Sequence, residues 1–221
     1  QAVIFSRKHN WIMCILYLGT FGSFIGFAAG FPLLIKSQFT GIDPVKYAFL
    51  GPLVGALARP FGGWISDKIK SGALITQFVF IGMIVAVCGV IFFLPNNGEG
   101  GNFWGFFACF LALFTLTGIG NGSTFMQVPV IFLNMHQKFA EEGKVSEEQA
   151  RLDATKEGAA VIGFTAAFAA YGGFFIPKSY GTSIDLTGGV NAALIGFIIF
   201  YAICAALNWW YYTRKGAEAK C

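Results

Sequence analysis

The sequence breaks into long runs without a charge, and that pattern constrains the chain more than any motif in it. Six runs are long enough to cross a bilayer: 10–35, 47–66, 71–94, 102–135, 158–177 and 186–213. Only the second contains a charged residue, Arg59. A helix needs about 20 such residues to cover about 30 Å of hydrocarbon. A buried helix of a soluble protein imitates one run, but a 221-residue soluble core cannot hide six. The runs also lack the period-2 alternation of barrel strands. Composition agrees: 12% of the residues are charged, against about 25% in a soluble domain. The expected fold class is an all-α polytopic membrane protein.

The charges between the runs orient it. Of the 15 Lys and Arg, eleven fall on the side that holds both ends of the chain and three on the other, with Arg59 inside a span. Positive residues accumulate in the cytoplasm, so both ends and the loop 136–157 are expected there. Within that loop, Ser146 to Lys156 reads as a short surface helix, with Ser146 and Gln149 in capping-box positions. The basic residues lie in short connections, a distribution that does not point to nucleic acid. The first run has no small-residue cleavage site of a signal peptide. The five Cys form no CxxC pair, and no His/Cys cluster has ligand spacing. No metal or cofactor is expected. The two histidines, His9 and His136, stand at span ends without a catalytic constellation, so no enzyme is expected.

Glycine is the second feature. Its 29 copies are nearly twice the usual share of about 7%, and many fall inside spans. Small residues let helix backbones approach closely in lipid. Pro52, Pro129 and Pro177 lie in or at the ends of spans, where they remove helical hydrogen bonds. Two readings stand for Gly118, Gly120 and Gly122: static packing, or a surface on which helices slide and gate a path.

Arg59 is the third. An arginine at the centre of a span costs about 2.5–3.5 kcal/mol on insertion scales, and no span holds an acid to offset it. It lies eight residues before Asp67, or about 12 Å from the span's end. Snorkelling to the interface is one reading. The other is an anion site, because the planar guanidinium fork suits a flat oxyanion. Tyr17, eight residues beyond His9, reaches the same depth from the first span. Phe21 follows one turn deeper on Tyr17's face. Tyr17 offers a hydrogen bond to an anion and Phe21 a wall. In the fourth span, Asn121 and Ser123 sit among the glycines, followed by Gln127. Such side chains suit a weak anion site or an interhelical hydrogen-bond network. At the end of the second span, Gly63, Asp67 and Lys68 form a tight turn able to latch neighbouring helices through charge pairs.

Several of these segments resemble a known family. Gly63-Trp64-Ile65-Ser66-Asp67-Lys68 is similar to the cytoplasmic loop motif of the major facilitator superfamily. Gly118 to Phe125, with Gln127 and Pro129, resembles the nitrate signature of its nitrate/nitrite porter family. Ala58-Arg59-Pro60, Tyr17 with Phe21, and Gly172 to Lys178 also resemble that family's pattern. The resemblance implies the carboxyl-terminal six-helix half of a twelve-helix fold. It implies nitrate or nitrite held between one arginine from each half, with Arg59, Tyr17, Phe21 and Asn121 on this side. It implies alternating access in a bacterial inner membrane, as nitrate/nitrite antiport. The chain starts at Gln1 rather than Met, so the amino-terminal half is expected to lie outside it. Membrane lipid and that half are the expected partners. The rival readings are a transporter of another small inorganic or organic anion, a non-transporting membrane scaffold, and a six-helix channel.

Overall fold

A computed structural model describes residues 2–95 and 100–221. Six long helices account for most of them: α1 (Lys8–Gln38), α2 (Leu50–Ile69), α3 (Gly72–Phe93), α4 (Phe103–Glu141), α5 (Glu147–Thr187) and α6 (Asn191–Thr213). The fold is all-α, as expected of a polytopic membrane protein. Five of the helices are long and apolar enough to cross a membrane by length and composition. The exception is α2, whose 20 residues include Arg59, two prolines and four glycines that lower its mean hydropathy.

The connection expected over 136–157 is much shorter than that. Helix α4 continues to Glu141, and α5 begins at Glu147. Ser146 does cap a helix, accepting a hydrogen bond from the Gln149 amide at 3.2 Å. That helix is not a separate surface piece, because it runs on into the fifth span. Glu147 and Glu148 in its first turn complement the positive end of the helix. From Glu147 on, the polar stretch has good helix formers and no Pro or Gly until Gly158, so nothing stops this helix at the membrane boundary. Beyond Pro177 the same helix continues to Thr187.

Helix α4 is the mast of the bundle. Its 39 residues extend about 58 Å at 1.5 Å per residue, and α2, α3 and α5 all pack along it. Apolar burial does not drive helices together in lipid, so close contact must. Glycine supplies it where α2 crosses α4. A Cβ at Gly118 would lie 2.1 Å from the Gly55 carbonyl oxygen, one at Gly62 2.1 Å from that of Ile119, and one at Gly122 2.3 Å from that of Arg59. Backbone therefore rests on backbone along two turns. A second crossing, of α1 with α5, is built the same way: a Cβ at Gly172 would lie 2.2 Å from the Gly22 oxygen, and one at Gly26 2.5 Å from the Gly172 oxygen. Gly22 and Gly26 repeat the four-residue spacing of Gly118 and Gly122. The two crossings thus pair a glycine-bearing helix from each half of the bundle, as internal repeats in such folds do.

Aromatic rings close the end away from the chain's first residues. Phe31 stacks on Phe110 with ring centroids 4.5 Å apart, and Phe27, Phe106 and Phe114 surround them. Such pairs contribute about 0.5–1.5 kcal/mol each beyond area burial. The opposite, basic end is tied by charge. Arg7 donates from both Nε and Nη2 to the Glu157 carboxylate at 3.1 Å, and His136 Nε2 lies 3.3 Å from Glu157 Oε2. This cluster joins the start of α1 to α4 and α5.

The glycine contacts give an expected outcome. Gly118→Ala forces a methyl into backbone that cannot yield, and should destabilise the protein by about 1–3 kcal/mol or more. Gly196→Ala, with nothing within 4 Å of its added carbon, should be neutral or mildly stabilising. Thermal unfolding midpoints in detergent check both. Equal midpoints for the two variants would remove the crossing as the structural anchor.

Candidate functional site

Helix α1 is not a regular α-helix through its middle. Between Tyr17 and Ser23 it opens into a π-helical turn, Leu18–Gly22. Gly19 and Gly22 are small enough to allow it, and the Thr20 hydroxyl donates back to the Leu16 carbonyl at 3.3 Å. Such bulges occur often at functional sites. This one presents two aromatic side chains to the same place. The Tyr17 and Phe21 rings lie 5.2 Å apart at 30°, and the Arg59 guanidinium carbon lies 5.8 Å from the Phe21 centroid. Tyr17, Phe21 and Arg59 therefore form one continuous row across α1 and α2, with Phe21 in the middle.

The position of Arg59 follows from the glycine crossing. Its carbonyl oxygen rests against Gly122 of α4, which fixes the backbone and turns the side chain away from α4. Pro60, the next residue, has no amide to donate to the Ala56 carbonyl and loosens the helix at that level. Although it lies inside a span, the Arg59 side chain is exposed in this bundle, with the Phe21 ring of α1 beside it. Leu53, Leu57, Phe61 and Trp64 are exposed on the same helix. Arg59 has no ion pair among the described residues. Tyr17 is 4% exposed, yet its hydroxyl makes no hydrogen bond among the described residues. An uncompensated cation, a free phenol and a ring between them form a row suited to an anion.

The polar residues of α4 divide into two groups. Ser123, Thr124 and Gln127 face neighbouring helices and are satisfied there. The Thr124 and Thr20 hydroxyls are 3.0 Å apart, those of Ser123 and Thr76 2.8 Å, and Gln127 Nε2 donates to Thr76 at 2.6 Å. For these residues the interhelical network is what the structure contains, and it ties α4 to α1 and α3. Asn121 differs. It is 1% exposed, and its Oδ1 is buried without a partner. No hydrogen bond or ring contact joins it to Tyr17, Phe21 or Arg59.

The three glycines of α4 do not share one surface. Gly118 and Gly122 meet the α2 backbone, whereas a Cβ at Gly120 would meet Thr20 at 2.7 Å and Val79 at 2.8 Å. Gly120 thus faces side chains of α1 and α3. The turn after α2 is tight, with Lys70 in the left-handed region (φ 56°) and Ser71 capping α3. Ser66 donates to the Gly62 carbonyl at 2.7 Å. Gly63 has room around it, with its nearest contact a Met126 side-chain carbon at 4.0 Å. Asp67 and Lys68 are exposed. Lys68 lies over the Trp64 ring, and neither residue forms an ion pair among the described residues. The latch expected of this turn has no partner within these six helices. No group of three metal-ligating side chains occurs among the described residues.

Sequence reasoning missed two features. One is the π-turn, whose only signal is the Gly19-Thr20-Phe21-Gly22 run. The other is Thr76, which anchors Ser123 and Gln127 from a span that offered no motif.

The bundle thus combines glycine crossings with one arginine at span depth that has no ion pair among the described residues. No family model matches the chain. Curated relatives do. It is 43% identical over 220 residues to the nitrate/nitrite transporter NarU of Escherichia coli, across 100% of this chain and 47% of that protein. It is 42% identical over 226 residues to the probable nitrate/nitrite antiporter NarK2 of Thermus thermophilus, across 100% of this chain and 46% of that protein. The nitrite extrusion protein of Bacillus subtilis is 27% identical over 218 residues, across 95% of this chain and 46% of that protein. The chain belongs to the nitrate/nitrite porter family of the major facilitator superfamily, as a carboxyl-terminal half. It spans about half the length of the curated relatives it matches. It is a multi-pass protein of a bacterial inner membrane, of a family of transporters rather than enzymes.

Two substitutions separate network from site. Thr76→Val leaves the Gln127 amide without its acceptor, while Ser123 keeps its bond to the Gly120 carbonyl, and should lower the unfolding midpoint, at about 1–3 kcal/mol for the group left unpaired. Asn121→Leu removes an amide oxygen that is already unpaired, so the same scan should show the midpoint unchanged or raised.

Proposed function

We propose that this chain supplies one wall of a nitrate/nitrite exchange site in a twelve-helix transporter, with Arg59 as its anion-binding cation. One observation carries the reading. Arg59 stands at span depth with no acid among the described residues to neutralise it, on a face that its own bundle leaves uncovered. The relatives' printed names, nitrate/nitrite transporter and nitrate/nitrite antiporter, supply the anion and the exchange.

The roles follow from the chemistry of a small planar anion. Arg59 donates two N–H groups to two oxygens of one edge. Tyr17 donates its free hydroxyl to an oxygen. Phe21, with its ring centroid 5.8 Å from the guanidinium carbon, walls the space beside it and favours a thin, planar anion. Asn121 offers its amide group from α4, the helix on which Arg59's backbone rests. The partner half covers the exposed face of α2 and provides the second cation.

Exchange follows from electrostatics. An empty site leaves Arg59 charged, and closing low-dielectric walls around an unpaired cation is costly. A bound anion removes that cost, so the loaded site can pass between the two faces and the empty one cannot. Two half-bundles rocking around a fixed site carry it. Gly118, Gly120 and Gly122 let α4 pivot against α2, α1 and α3 without side chains interlocking. Asp67 and Lys68, free in this half, are available to groups of the other half when that side closes. A transporter of another small anion is the second reading, since a guanidinium and a phenol recognise the oxygens of any small oxyanion.

The orientation completes the proposal. Both ends of the segment and the 142–146 connection face the cytoplasm, by the distribution of Lys and Arg. A cysteine placed at Glu142, with the native cysteines removed, should resist an impermeant reagent in intact cells and react in inverted vesicles.

In the full-length transporter, Arg59→Lys should weaken nitrate binding tenfold or more although the charge is kept, because an ammonium lacks the two-pronged geometry. Tyr17→Phe should cost less, about 0.5–1.5 kcal/mol for one hydrogen bond, rising to about 3 with a charged partner. Titration of purified, folded variants with nitrate checks both. Unchanged affinity in Arg59→Lys would make Arg59 a snorkelling or structural residue.

A further inference from the structure

The basic end of the bundle holds a cavity of about 330 Å³ that the site above does not use. It lies where α1 begins, α4 ends and the chain returns after α6. Charged and titratable walls come from Arg7, Lys8, His9, Lys138, Glu142 and Glu218. Two of these charges are answered by others: Arg7 by Glu157 and Glu142 by Lys144. Lys8 and Lys138 remain, and both reach the same residue. Lys8 Nζ donates to the Glu218 carboxylate, and Lys138 Nζ donates to the Glu218 backbone carbonyl at 3.1 Å. The His9 side chain, 7% exposed, places Nε2 3.6 Å from Glu218 Oε1. Its other nitrogen, Nδ1, meets the Tyr212 hydroxyl at 3.1 Å, which fixes the ring. The first turn of α1 lines the cavity, adding the positive end of its dipole. The hydrogen bond from Lys8 holds the Glu218 carboxyl below the ordinary carboxylate range, so the group stays an anion.

We infer that this cavity is a second anion subsite, built by Lys8, His9 and Lys138 for a small monovalent oxyanion and occupied here by Glu218 as a tethered carboxylate. The reasoning is stereochemical. A carboxylate presents two oxygens on one planar atom, as nitrite does and as each edge of nitrate does. Glu218 and a free anion of that shape therefore compete for Lys8, with His9 beside it. Lys138 holds the Glu218 backbone carbonyl rather than the carboxylate, so two lysines and one carboxylate leave the subsite a net positive charge even when Glu218 fills it. The tether sets the outcome. A group held by a short flexible segment competes at an effective concentration of order millimolar, so free anion enters only when its own concentration is comparable. The subsite would gather anion at one end of the transporter and yield to Glu218 when anion is scarce.

The choice of nitrate as probe rests on the proposed function, and the experiment keeps the two apart. Nitrate binding is titrated in the purified full-length transporter. Arg59→Gln should remove the first binding event. Adding Glu218→Gln to it should restore one event per chain, and adding Lys8→Gln as well should weaken that event tenfold or more. The same gain should appear as a second event when Glu218→Gln is made alone, and Glu218→Ala should reproduce it if the glutamine variant folds poorly. Unchanged nitrate binding in Arg59→Gln would reject the Arg59 reading without touching this one, which is read only from the difference Glu218 makes. Binding that is the same with and without Glu218→Gln overturns the subsite. So does a gained event that survives loss of Lys8.

Discussion

The contact on which the rest depends is the crossing of α2 over α4, where Gly55 and Gly62 meet Gly118, Ile119 and Gly122 backbone to backbone. In lipid, helices gain little from hiding apolar surface, since the solvent is apolar too. What holds them is the number of atoms brought to van der Waals distance, and glycine maximises it by removing the side chain. The same contact fixes the chemistry. Arg59's carbonyl is pressed on Gly122, so its side chain points off the bundle at a set height and angle. Were the two helices separated by even an alanine, the arginine would move relative to Tyr17 and Phe21 on α1. Packing and site are therefore one arrangement in this protein.

Many polar groups in the bundle find partners across helices: Thr76 with Ser123 and Gln127, Thr20 with Thr124, Tyr201 with Ser23 at 2.9 Å. An unpaired polar group in a medium without water is costly, and these bonds cross between helices, so each also sets a helix position. Not every polar group finds such a partner. Arg59 is exposed without an ion pair, and the Tyr17 hydroxyl makes no hydrogen bond among the described residues. Asn121 Oδ1 is one of several buried atoms without a partner there, with the Asn10 amide, the Tyr180 hydroxyl and Asn208 Oδ1. Buried groups left without partners ask for a ligand or water.

The basic end works by another rule. There charges are exposed or partly so, and they pair across helices: Arg7 with Glu157, Lys8 with Glu218, His136 beside Glu157. Exposed pairs contribute little stability each, about 0–1 kcal/mol. Their effect is positional. They hold the segment after α6 under the bundle and seat the start of α1 against α5, the pair of helices joined by the second glycine crossing.

Much of this protein was legible from the sequence alone. Uncharged runs set the number of spans because a charge in hydrocarbon is too costly to hide, and that cost is local to each residue. The singular Arg59, the glycine runs and the family motifs are equally local, so Arg59, Tyr17 and Phe21 could be singled out as candidates without coordinates. What the sequence could not determine is which groups meet. Ser123 and Gln127 looked like candidates for the same site as Asn121, and only the turn-by-turn direction of each side chain around α4 put those two into a network and left Asn121 apart. The exposure of Arg59 was also undecidable in advance, because whether a face is covered depends on where the other five helices lie. The loop read over 136–157 became two helix ends because polar residues propagate a helix beyond the membrane as readily as apolar ones do within it. Spans follow from the solvation of single residues; sites follow from distances between helices, and those exist only after the helices have packed.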